Sequence, residues 1–403
     1  MTNAPISRMN SLEIRASASL ASIFALRMLG LFLILPVFAV YARTLPGGDN
    51  VALVGLALGI YGLTQGCLQI PFGIASDRWG RKPVMIAGLL LFAVGSLIAA
   101  LGQDIWTVMI GRAIQGAGAI SAAITALIAD STREEHRTKA MAMVGASIGL
   151  TFAISLVVAP PLTGAIGVNG LFWLTGILAL AAIAVVKWVV PDAPEISHAD
   201  TNPAHWTVVA RDPQLLRLNF GIFALHAVQM ALFIELPMLM IEHGLPLAQH
   251  WHIYLPVVLV SFALMMPPIM RAERAGRMRT LFLGAIALLL AVFLGMWGFS
   301  GSIGWIAAWL LLFFVGFNIL EASLPSLISR VAPPASKGLA LGIYNTTQSI
   351  GLFVGGAAGG WLAKHYGASG IFSFSAVAML AWLFVAAGMR ELPKRKAGEP
   401  VAA

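Results

Sequence analysis

The chain has 403 residues, of which 59% are hydrophobic and 10% charged, with a net charge of +8. A soluble protein carries about a quarter of its residues as Asp, Glu, Lys or Arg. A chain this apolar cannot cover its own surface in water, which excludes an ordinary soluble protein and makes lipid its solvent.

In windows of about 20 residues, twelve apolar spans follow one another. The first six are residues 18–42, 52–73, 84–102, 105–129, 139–162 and 168–190. The second six are 215–240, 248–270, 280–299, 304–328, 338–362 and 370–389. The first run is longer than the core of a cleaved signal peptide and lacks a small-residue cleavage site. The single cysteine, Cys67, lies in span two; it excludes an intramolecular disulfide and is expected to be a packed thiol. An even number of spans puts both termini on one side. Of the 25 Lys and Arg residues, 21 fall on that side, Arg43 and Lys364 on the other, and Arg27 and Arg112 within spans. The positive-inside bias places the 21 in the cytoplasm. The basic balance is therefore topological and does not point to nucleic acid.

The longest polar stretch, 191–213, separates residues 1–190 from 214–391, each a six-helix bundle, and residues 392–403 form a polar tail. The halves echo each other. "SDRWGRK" (76–82), after span two, is answered by "AERAGRM" (272–278), after span eight, at a constant offset of 196. "KAMAMVG" (139–145), entering span five, is answered by "KGLALG" (337–342), entering span eleven. Such repeats mark a duplicated fold with a central site between two bundles. In span eleven, Gly351, Gly355 and Gly359 recur every fourth residue beside Gly356 and Gly360, a spacing that lets helix backbones approach closely. The expectation is an all-α integral membrane protein of twelve helices in two pseudo-symmetric bundles.

Three segments carry a resemblance. The loop "GIASDRWGRK" contributes Gly73, Asp77, Arg78, Gly80, Arg81 and Lys82. "LGLFLILPV" (29–37) lies in span one and "GRAIQGAGA" (111–119) in span four. Together they resemble the drug:proton antiporter branch of the major facilitator superfamily. The resemblance implies that spans one, four, seven and ten line a central cavity. It also implies that Arg81 pairs with Asp130. A carboxylate at a helix N-terminus gains about 0.3–2 kcal/mol, and in the family arrangement Asp77 meets the start of span eleven near Lys337. That contact would clasp the halves on the cytoplasmic side when the cavity faces outward. Some members add a soluble C-terminal domain, which a chain ending at Ala403 is expected to lack. The fifth-helix antiporter motif departs from the family pattern: Ser155, Ala159, Pro160, Thr163 and Gly164 stand in its place.

Ionisable groups inside spans are costly, so each is a functional candidate: Arg27, Arg112, His226, Glu235 and Glu321, all on the four spans named above. Polar neighbours suggest a wet cavity. Tyr61, Gln65 and Gln69 form a stripe on span two, Gln115 lies on span four, and Asn318 shares a face with Glu321 on span ten. Glu321 is the first candidate to carry the coupling proton, with Arg27 able to pair with it in one state of the cycle. His226 follows, since its ordinary pKa lies near neutrality, and Glu235 is third. The alternatives are that Glu321 and Arg27 form a permanent structural pair, that the span-two stripe is interhelical glue, and that Arg112 and His226 are structural. His243, His250 and His252 have no pair at helical metal-site spacing, so no metal is expected. No phosphate-binding loop is present, so neither ATP nor another cofactor is implied.

Uphill transport then draws on an ion gradient. The expected function is proton-coupled export of small amphipathic molecules by alternating access, in a monomer of the bacterial inner membrane with both termini cytoplasmic. Proton symport importing a small polar solute is the alternative, and a membrane scaffold without transport is the rival from outside transport.

Overall fold

The computed structural model describes residues 9–192, 206–333 and 336–390, and among these there are helices and no strand. In chain order they are α1 (Ser11–Phe32), α2 (Leu35–Ala42), α3 (Val51–Trp79), α4 (Arg81–Leu101), α5 (Ile105–Ala117), α6 (Ser121–Ser131) and α7 (Glu134–Trp188). There follow α8 (Trp206–Arg211), α9 (Pro213–Glu242), a 3-10 turn at Leu247–Gln249, α10 (Trp251–Ala275), α11 (Met278–Gly298), α12 (Ile303–Val331) and α13 (Lys337–Ala387). The first helix begins ahead of the expected residue 18 because Asn10 and Glu13 form a reciprocal cap, each side chain accepting the other's backbone N–H.

Among the described residues, ten continuous apolar helical segments are long enough to cross a bilayer, against twelve expected spans. The difference lies in α7 and α13, whose apolar parts run for 50 and 51 residues. At 1.5 Å per residue that is about 75 Å, more than twice a hydrocarbon core of about 30 Å. Each is interrupted once, at Gly167 (φ 68°) and Gly367 (φ 59°). These left-handed conformations favour glycine. The six positive-φ glycines among the described residues fall into pairs about half the chain apart: Gly47 with Gly244, Gly80 with Gly276, and Gly167 with Gly367. The sequence echo therefore extends to the backbone.

One end of the bundle, here the termini end, is held within each half by polar contacts. Arg133 pairs with Glu13 at 2.9 Å, Arg15 Nε donates to the Val189 carbonyl, and Arg279 donates to the Ala387 carbonyl. From the opposite, distal end to mid-span the two halves meet backbone to backbone. A Cβ at Gly55 of α3 would lie 2.3 Å from the Gly356 carbonyl oxygen of α13, and one at Gly62 2.4 Å from that of Ser349. The other face of α13 packs as closely on α9, with Gly355 against Ala227. The expected role of these glycines in close packing is thus met on two faces at once. The altered fifth-helix stretch also faces the second half here, Gly164 against Ala248. Nearer the termini end the glycines are open: Gly145, Gly149, Gly338 and Gly342 have nothing within 4 Å of a Cβ position.

One correction to the sequence reading follows. Cys67 is exposed, not packed, because it lies on the face of α3 turned away from α5 and α13. Part of the expected linker, Trp206–Arg211, is helical; residues 193–205 and the 392–403 tail lie outside the described residues.

Candidate functional site

The fourth apolar segment breaks in mid-span, between α5 and α6, at Gly118, Ala119 and Ile120. The "GRAIQGAGA" glycines account for the contacts around the break. A Cβ at Gly118 would lie 2.3 Å from the Gly88 carbonyl oxygen, one at Gly111 2.6 Å from the Ala99 amide, and one at Gly116 2.2 Å from the Tyr61 carbonyl oxygen. Three backbones therefore touch around Tyr61. Arg112 donates to the Leu58 carbonyl at 3.2 Å and to Gln115 at 3.4 Å, and its guanidinium sits 5.1 Å from the Tyr61 ring centre. Gln115 in turn donates to Ser96 at 2.8 Å. Arg112, Gln115 and Tyr61 are all buried inside the first half. Further along α3, Gln65 and Gln69 are buried too, and neither Gln69 side-chain polar atom has a hydrogen-bond partner.

Arg27 comes from α1. Its Nη1 donates to Ser121 Oγ at 3.0 Å, at the first residue of α6, and its guanidinium lies 5.9 Å from the Tyr61 ring centre. It is 1% exposed, and Nε and Nη2 have no partner.

The second half assembles a different cluster. His226 of α9 places Nε2 2.7 Å from Gln348 Nε2 of α13 and 3.8 Å from Glu321 Oε2 of α12. Its Nδ1 lies 3.2 Å from the Ile222 carbonyl oxygen, and its ring 5.9 Å from that of Phe317. The Glu321 side chain is 28% exposed overall, yet Oε2 is sealed and without a hydrogen bond. Asn318 donates to Ser261 of α10 at 3.1 Å, away from Glu321. Glu235 is buried further along α9 and forms no ion pair among the described residues. The structure thus brings His226 to Glu321 and does not bring Arg27 to it. Gln348 was not foreseen, although the run Tyr344, Asn345, Thr346, Thr347, Gln348 and Ser349 is a conspicuous polar patch in an apolar span.

The signature loop lies at the termini end. Gly80 (φ 91°) turns the chain between α3 and α4. Arg81 pairs with Asp77, with Asp130 at 3.0 Å and with Ser76 at 2.8 Å. Gly73 packs on Ala122 of α6, and Arg78 is exposed. Lys82 reaches the Val190 carbonyl at 2.7 Å and Asp192 at 2.6 Å, tying the loop to the start of the linker. That hydrogen bond and charge hold the Asp192 carboxyl below the usual carboxylate range. In the second half, Glu273 pairs with Arg330 at 3.6 Å. Glu273 is the counterpart of Asp77 at the offset of 196, so here the acid of the loop, and not the arginine that corresponds to Arg81, reaches the span end, where Arg330 supplies the base.

The model of the Major Facilitator Superfamily matches residues 20–355 and, in a second alignment, 257–403. The chain is 44% identical over 384 residues to the inner membrane transport protein YajR of Escherichia coli (strain K12), covering 94% of this chain and 84% of that one. It is 25% identical over 353 residues to the multidrug resistance protein MdtH of Yersinia enterocolitica, covering 83% of each. Among solved structures, a bacterial homologue of the human lysosomal transporter Spinster, in an inward-facing and occupied conformation, has a TM-score of 0.72 at 12% identity, covering 94% of this chain and 96% of that one. With buried ionisable clusters in an all-helical membrane frame and a family match over most of its length, the chain belongs to the major facilitator superfamily: it is a multi-pass transporter of the bacterial inner membrane, not an enzyme.

Proposed function

We propose that the protein couples proton movement to the export of small amphipathic molecules by alternating access. The observation that carries this reading is the His226–Glu321–Gln348 cluster. It places a carboxylate oxygen without a hydrogen bond beside an imidazole, inside apolar spans, where an ionisable group is costly unless it is used. Two neighbouring groups that each bind one proton can pass it between them as the cavity changes sides. No nucleotide motif offers another energy source, whereas moving one charge across 100 mV supplies about 2.3 kcal/mol. The name of the MdtH relative, a multidrug resistance protein, favours export.

In the same reading α7 and α13 each cross twice, turning at Gly167 and Gly367, which gives twelve crossings. Residues 1–190 and 214–391 are the two halves, and the termini end is cytoplasmic. Asp77 and Arg81 clasp the start of α13 when that end closes. In everted vesicles, substrate addition should release protons from the lumen. Proton movement in the opposite sense would indicate symport, and none would indicate a scaffold. Glu321→Gln should fold and bind substrate yet lose proton-driven accumulation and its pH dependence. If coupled transport persists with an unchanged pH profile, Glu321 is not the coupling residue and His226 takes its place.

A further inference from the structure

Arg27 is a buried cation that no carboxylate pairs with among the described residues. A guanidinium, unlike a carboxylate, cannot shed its charge to lower the cost of burial, and isolated charges in an apolar interior are paired or expensive. Among the described residues no carboxylate forms an ion pair with Arg27, and its single hydrogen bond is to the neutral Ser121 hydroxyl. Nε and Nη2 remain without partners in a side chain that is 1% exposed.

Its position compounds the imbalance. Ser121 is the first residue of α6, an 11-residue helix with no side-chain cap. The positive end of that helix and its free N–H groups therefore point toward a cation. Two positive features converge in mid-span at a broken helix. In transporters, half-helix N-termini of this kind face anionic substrate groups. The second half offers Glu321, but its contact there is His226.

We infer that Arg27 and the N-terminus of α6 form the binding site for the acidic group of an organic anion: a carboxylate, sulfonate or phosphate, which the planar guanidinium can take in a two-pronged contact. Further along α1, Phe32 meets Phe152 at 5.0 Å, and Phe152 meets Phe314 and Phe317 of the second half at 5.8 and 6.1 Å. This aromatic cluster spans both halves and suits an apolar, aromatic body. The inference rests on the reading of the protein as a transporter whose path runs between the halves, and not on proton coupling.

The test is equilibrium binding to the full chain in lipid nanodiscs, without a gradient, followed by thermal midpoint. The probes are 1-naphthoate, its neutral amide 1-naphthamide, the cation 1-naphthylmethylammonium and inorganic phosphate. Naphthoate should raise the midpoint and the amide and cation should not. Arg27→Gln should weaken naphthoate binding about tenfold or more, as expected for a charge-assisted hydrogen bond, and Arg27→Lys should restore part of it. Equal shifts from naphthoate and the amide overturn the inference, as does unchanged naphthoate binding in Arg27→Gln. A phosphate shift as large as that of naphthoate overturns the organic-anion assignment. If Arg27→Gln does not fold, the comparison of charged and neutral probes on the unaltered protein still decides. Anion binding that survives while proton flux fails rejects only the coupling mechanism. Proton flux that persists without anion selectivity rejects only this site.

Discussion

Replacing Gly55 by alanine adds one methyl group to the tightest contact between the halves. That carbon would sit 2.3 Å from the Gly356 carbonyl oxygen and 2.6 Å from Gly360 Cα, where ordinary contact is 3.4–4 Å. Both neighbours are backbone, so no side chain can swing aside. The distal ends of α3 and α13 must part by about 1 Å, and a gap of that size forfeits about a quarter to a half of the dispersion attraction along the seam. Overpacking of this kind costs about 1–3 kcal/mol, which would lower the population closed at the distal end about 5- to 150-fold relative to any state in which these helices separate. The assay is double electron–electron resonance between spin labels at Asp49 and Lys364, exposed positions on the two sides of the seam, with Cys67 replaced by serine. Gly55→Ala should add or enlarge a longer-distance component. Gly342→Ala is the matched control: its Cβ meets nothing within 4 Å, and the better helix propensity of alanine should stabilise the helix by up to about 1 kcal/mol. A Gly55→Ala distance distribution and thermal midpoint indistinguishable from wild type would refute the reasoning.

Three further outcomes follow. Asp77→Asn should lower transport with expression and membrane insertion nearly intact, because it removes an exposed charge and no buried packing; wild-type flux in this variant removes the clasp from the mechanism. A cysteine at Asp192, in a Cys67-free background, should react with impermeant thiol reagents only from the cytoplasmic face, and labelling in intact cells would overturn the proposed orientation. Arg330→Glu should lower the thermal midpoint, since it sets a second carboxylate against Glu273 at the termini end of the second half. Adding Glu273→Arg should recover part of the loss, and no recovery in the double variant would show that the pair contributes through packing alone.

The amino-acid sequence by itself determined the solvent, the helical class, the family resemblance and the internal duplication. Each of these is written locally: apolar run length, charge placement between runs, and short motifs at a fixed offset. The Arg81–Asp130 pair was also legible, through the resemblance. What only the tertiary structure decided depends on which faces of distant helices meet. Periodicity put Asn318 beside Glu321, but Ser261 on α10 takes the Asn318 amide. Depth along the spans made Arg27 and Glu321 candidates for a pair, yet rotation about the helix axes gives Glu321 to His226 and Arg27 to Ser121. Hydropathy placed loops at the ends of spans five and eleven, whereas helix continues to Gly167 and Gly367, because a single glycine in a left-handed conformation turns the chain without a polar loop. The uncompensated charge of Arg27 is the same kind of fact. Its place in an apolar run is visible in the sequence, but that no carboxylate among the described residues pairs with it is a property of the packed helices alone.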